Sequence, residues 1–220
     1  PNDPFWMKAP EGSRRVGVGA RFVYESWSPG RSLMAPRLDS HLSRVLLDEG
    51  LATVEALEEA AQQQLIHGGA LDTLLLELDN IDEATLTDAL ARAWGTPRID
   101  ARRLDVSPAD AARWLPERIA VSLAICPFAE DGEALHVVVA APPDRGLLDE
   151  VGTLVKRPLI AHVIPEVRVW DLLHRAYDAV IDERLVSLLR HLDNTTGPTT
   201  PKKREPRLVT RPPDLEETHW

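Results

Sequence analysis

The chain has 220 residues, 44% of them hydrophobic, with 18 Pro and a formal net charge of −10. That is enough apolar material for one sizeable core or two small ones, while a pI near 5.2 argues against a broad nucleic-acid footprint, which needs Lys and Arg clustered on one face. A single cysteine excludes an internal disulfide, and no run approaches the roughly 20 apolar residues that span a bilayer.

Residues Pro1 to Pro10 lack the basic-then-apolar pattern of a secretion signal, so a soluble cytoplasmic protein is expected. Residues 1–36 are rich in Pro, Gly, Ser and Arg, carry Trp6 and Trp27 without periodicity, and are expected to be disordered. Gly17-Val18-Gly19 has neither the third glycine nor the flanking strand and helix of a dinucleotide loop, and is read as chance. Met34 stands just before the first patterned segment. The domain is expected to begin near it, with the earlier residues an appendage or an upstream translation.

From His41 to Ala93 one unit is written twice: Leu42, Leu46, Leu47, Leu57 and Ala60 recur 29 positions on as Leu71, Leu75, Leu76, Leu86 and Ala89. Each copy reads as helix, tight stop, helix, with the stop at Gly50 or Asp79-Asn80 and an N-cap at Thr53 or Asp82. Two copies are too few for a solenoid, so residues 37–95 are expected to form two helical hairpins packed on each other. Acidic pairs such as Asp48-Glu49 and Glu58-Glu59 alternate with the leucines and predict a solvated face.

Beyond Pro97 the pattern changes. Ser107-Pro108 predicts an N-cap with proline at the first helical position, opening a short helix through Trp114 that Pro116 closes. Strand-like runs at Ala120–Phe128 and Ala134–Ala141 flank a polar loop containing Gly132 and predict an antiparallel pair. Asp144–Lys156 has helical spacing, Leu159–Ile164 reads as a strand and Arg168–Tyr177 as a helix. Residues 96–193 are therefore expected to be a small α+β unit whose short sheet is covered by helices. Its last helix, Asp182–Leu192, presents Leu185, Leu188, Leu189 and Leu192 on one side, and is expected to cap the domain in preference to docking a partner. Residues 194–220 hold Pro-rich and basic pieces and an acidic end, and are expected to be a disordered tail.

No catalytic constellation emerges. There is no phosphate-cradling Gly-x-x-x-x-Gly-Lys-Ser/Thr and no Gly-x-Ser-x-Gly elbow, and Cys126 sits in an apolar run as a core filler. His162, His174 and His191 have no metal-site spacing and read as isolated histidines, so neither an enzyme nor a metal centre is expected.

The order of parts is specific: a duplicated helical motif, Pro97-Arg98-Ile99-Asp100, a Leu115-Pro116 helix end, then two strands ending in Ala140-Ala141-Pro142-Pro143-Asp144. It resembles the N-terminal domain of type II secretion and type IV pilus assembly ATPases from about Leu42 to Tyr177, including the five-residue spacer Leu65–Gly69 between copies. In that family the duplicated motif can bind cyclic di-GMP. Carried over, the motif positions are His41, Leu42, Ser43, Leu46, Leu47, Gly50 and Gln64 in the first copy and Ala70, Leu71, Asp72, Leu75, Leu76 and Asp79 in the second. The leucines survive, but His41 and Ala70 stand for the family's arginines, Ser43, Asp72 and Asp79 for glycines, and Ala93 for a final Gln.

A carboxylate at position 72, where the family accepts an anion, costs on the order of 1 kcal/mol or more in like-charge contact. Cyclic di-GMP binding is accordingly expected to be lost or weak, and Asp72→Gly with His41→Arg to improve it. The resemblance implies a non-enzymatic protein-interaction module whose partner is a secretion or pilus component, with no cofactor. The alternative is a cyclic di-GMP-sensing regulatory domain, alone or as the N-terminal part of a longer secretion or pilus assembly ATPase.

Overall fold

The computed structural model describes residues 41–195, an α+β arrangement of helices around a three-stranded sheet. Residues 1–36, with Gly17-Val18-Gly19 and Met34, and residues 196–220 lie outside the described residues, while Asn194, the start of the expected disordered tail, is the last residue of a helix.

The duplication is explicit in the first four helices: α1 (His41–Asp48), α2 (Val54–His67), α3 (Leu71–Glu77) and α4 (Glu83–Trp94). In both copies the first helix stops by the same pair of bonds. Leu51 N–H reaches Leu46 O and Gly50 N–H reaches Leu47 O; 29 residues on, Asn80 N–H reaches Leu75 O and Asp79 N–H reaches Leu76 O. This is a Schellman stop, and its left-handed residue is Gly50 (φ 64°) in one copy and Asp79 (φ 52°) in the other. Each second helix then starts on a side-chain cap, Thr53 accepting from Ala56 N–H and Asp82 from Thr85 N–H. The copies interleave, since α1 packs on α4 and α2 on α3. Leu46, Leu57, Leu75, Leu86, Ala60 and Ala89, three equivalent pairs, are all wholly buried.

After a 3-10 turn at Ala101–Arg103 come α5 (Pro108–Trp114), capped by Ser107, and α6 (Glu117–Leu123). Here the sequence reading is corrected: residues 120–123, expected to open a strand, are the end of a helix. β1 begins only at Ile125, after Ala124 turns the chain in a left-handed conformation (φ 48°). β1 (Ile125–Glu130) pairs antiparallel with β2 (Leu135–Val139), as the loop between them predicts, with an irregularity between Pro127 and Ala129. Helix α7 (Arg145–Val155), capped by Asp144, crosses over to β3 (Leu159–Val163), which pairs parallel with β2. Close passage of α7 against its own exit turn requires Gly152, where a Cβ would sit 2.8 Å from Arg157 O. Helices α8 (Glu166–Tyr177) and α9 (Glu183–Asn194) complete the described chain.

Two apolar clusters result. One joins the sheet to α5, α6 and α8 and contains Cys126, whose thiol burial pushes up to about 12, consistent with a core filler. The other lies within the four repeat helices and also takes in Val163, Val167, Leu188, Leu189 and Leu192, so α9 buries its leucines against the repeat. No helix among the described residues is long and apolar enough to cross a membrane.

Candidate functional site

The motif positions separate by depth. Leu42, Ser43, Leu46, Asp72, Leu75 and Leu76 are buried; Gln64, Ala70 and Leu71 are half-buried; His41, Leu47, Gly50 and Asp79 are exposed. Gln64 donates its side-chain amide to Gly69 O, tying the end of α2 to the spacer, and Asp79 pairs with His191 of α9 at 3.2 Å.

Asp72 has a role that its sequence position did not reveal. Its side chain is 4% exposed and turns inward, where Oδ2 accepts the backbone N–H of Glu166 at 2.8 Å, the first residue of α8. Glu166 returns the bond: its Oε2 accepts Ala70 N–H (3.3 Å) and the Thr73 hydroxyl (3.0 Å) at the start of α3. Each carboxylate thus sits at the N-terminus of the other's helix, the end whose free N–H groups favour negative charge. Burial, and then the neighbouring Glu166, push the Asp72 carboxyl up to about 7.

A second junction lies two residues along α8. Arg168, 5% exposed, forks onto Glu83 of α4 (2.7 and 3.0 Å) and reaches Asp193 of α9 at 2.8 Å. Burial disfavours the Glu83 charge, but Arg168 and Arg102 more than offset it and hold the carboxyl below its usual range. Glu77 of α3 and Arg184 of α9 form a further fork.

On the sheet the structure corrects another expectation: the histidines are not isolated. His162 of β3 lies 3.0 Å from His136 of β2, which reaches Asp131 at 3.1 Å, with Phe128 packed edge-on to His162. His174 bonds Ala179 O and His191 faces Asp79. Burial, and then His136, lower the His162 pKa and so disfavour a charge on that ring. No group of three candidate ligands that could hold a metal occurs among the described residues.

The outer edge of β3 borders a groove of about 480 Å³ between Trp94–Pro97 on one side and Pro143, Arg145, Leu148 and Asp149 on the other. Leu135 N–H donates to Pro158 O, so even-numbered β3 residues face β2; Val163 exchanges bonds with Pro97 and Ile99, so odd-numbered ones face outward. Leu159 and Ala161 therefore turn their backbone groups toward this groove, in line with the short parallel pairing at Arg98 and Val163.

Residues 94–183 match the MshEN domain. This stretch belongs to the MshEN domain family. Two curated relatives are type IV pilus assembly ATPases PilB: that of Myxococcus xanthus, 27% identical over 140 residues (64% of this chain, 25% of the relative), and that of Thermus thermophilus, 32% identical over 118 residues (53% and 13%). The chain thus spans a quarter or less of the pilus ATPases it matches. Among solved structures, MshE with cdg is 27% identical, with coverage of 62% of this chain and 98% of that one and a TM-score of 0.48. The N-terminal domain of XpsE is also 27% identical, with coverage of 66% and 99% and a TM-score of 0.47. The MshEN match and the two curated relatives set this chain beside type IV pilus assembly ATPases. Its match begins at Trp94, at the end of α4, and takes in the sheet, α8 and thus Glu166 and Arg168, the two residues that grip the repeat.

Proposed function

We propose that this chain is a cytoplasmic, non-enzymatic interaction module of a secretion or pilus machine, with cyclic di-GMP binding lost or weak. The observation that carries the reading is the use made of Asp72: at a motif position where the family has glycine, this chain holds a buried carboxylate committed to the start of α8. A buried carboxyl fills the place where the family's glycine leaves room for a dinucleotide phosphate, and once charged, above about pH 7, it also repels one; the arginine fork that would attract the phosphate is absent at His41 and Ala70. Calorimetric titration of the full chain with cyclic di-GMP is expected to give no binding at micromolar concentrations; a micromolar or tighter constant would favour the rival reading, a regulatory sensor at the head of a longer ATPase. Asp72→Gly with His41→Arg remains the variant expected to restore affinity, but it also deletes the α8 cap and should lower the melting temperature.

The partner is a pilus or secretion component, and its contact is an extended segment laid along β3 in continuation of Pro97–Ile99. Backbone groups at Leu159 and Ala161 supply the pairing, and Leu148 and Trp94 the apolar walls. Co-purification of the full chain from its native host is expected to recover such a component, and Ala161→Arg, which fills the groove, to abolish the recovery. Recovery of no pilus or secretion component would reject the adaptor reading; recovery indifferent to Ala161→Arg would reject the groove.

A further inference from the structure

The two halves of the molecule meet where α3 and α8 exchange carboxylates, and the chemistry of that exchange depends on proton occupancy. Asp72 and Glu166 are both acids, lie at one junction and accept hydrogen bonds from each other's helix starts. We propose that this junction is a pH-operated latch between the repeat and the sheet-bearing half, firm when the buried Asp72 carboxyl holds a proton and loosened when it is charged beside Glu166.

The surroundings favour a proton on Asp72. From α8 the charge facing Asp72 is Glu166 itself; from α9 it is Arg184, which acts on Glu166 and is already engaged by Glu77 of α3. From α2 the nearest polar contribution is neutral, the Gln64 amide bound to Gly69 O, while Glu55, Glu58 and Glu59 are exposed. Arg168, two residues along α8, is committed to Glu83 and Asp193. The Asp72 carboxylate is thus buried among groups that stabilise one negative charge at the junction better than two. Its backbone bonds, however, survive protonation, because a neutral carboxyl keeps an acceptor oxygen for Glu166 N–H.

The sign follows from the direction of the shift. The folded protein holds the Asp72 proton to about pH 7, whereas an unfolded chain releases it near 3.8. The extra stability is therefore fully present below about pH 4 and is lost as the pH rises through 7.

Amide hydrogen exchange of the full chain tests this at Glu166 and Ala70, whose N–H groups the two carboxylates accept. After correction for intrinsic exchange, wild-type protection is expected to fall about tenfold between pH 6 and pH 8.5, the fold-change that follows from a midpoint near 7. Asp72→Asn keeps the acceptor and removes the titration, so its protection should be flat across the same range. Glu166→Gln removes the neighbouring charge and should move the wild-type midpoint to lower pH. Flat wild-type protection would overturn the latch, as would a slope that persists in Asp72→Asn.

Discussion

Arg168→Ala is expected to lower the unfolding free energy by about 3–5 kcal/mol, read by urea denaturation of the full chain against wild type. The guanidinium is 5% exposed and answers two carboxylates from different helices, Glu83 of α4 and Asp193 of α9. Deleting it strands Glu83 as a poorly solvated charge with only Arg102 left, at 2.9 Å and 39% side-chain exposure. The penalty comes from that orphaned carboxylate more than from the bond itself, which gives a check: Glu83→Gln placed on top of Arg168→Ala should recover part of the loss. Arg168→Lys should also be costly, because an ammonium cannot reproduce a fork that contacts both Glu83 oxygens.

Leu76→Ala is expected to cost about 2–5 kcal/mol while Leu47→Ala, its counterpart in the other copy, costs about 1 kcal/mol or less, by the same measurement. The two leucines share a place in the duplicated motif but not an environment: Leu76 is 1% exposed and Leu47 38%. The difference has a structural source. α3 lies against α8 and is tied to α9 by Glu77 and Arg184, whereas Asp48, the residue of α1 equivalent to Glu77, is exposed. Truncating Leu76 opens a cavity in close-packed surroundings; truncating Leu47 mainly removes surface already in contact with water. Equal losses at the two positions would mean that the copies are buried alike and would contradict the asymmetry described here.

What could be read from the sequence was what depends on local rules. The Schellman stops, the Thr53, Asp82 and Ser107 caps and the buried leucine pairs each follow from residue type at fixed spacing. What could not be read divides into two physical causes. Residues 119–126 are apolar except for Ser122, and the turning point is Ala124, a left-handed residue with no glycine to announce it, so a helix followed by a strand read as one strand. Lys156 and Asp178 close α7 and α8 in the same unadvertised way. The second cause is tertiary. Nothing in the neighbourhood of Asp72 says that position 166 will arrive beside it, and the His136–His162 contact needs the parallel register of β2 and β3, which no sequence rule supplies. At the motif positions the sequence identified which residues had changed; only the fold shows that the substituted carboxylate is used as an internal cap.

The fork between Glu77 and Arg184 joins residues 107 positions apart, and Asp79 and His191 are separated by 112. During synthesis the repeat therefore emerges from the ribosome well before the helix that seals its leucines, and its apolar side stays uncovered while residues 95–182 and then α9 itself are translated. Pausing or chaperone capture in that interval should matter for this protein, since the nascent repeat cannot reach its final state until α9 has cleared the exit tunnel.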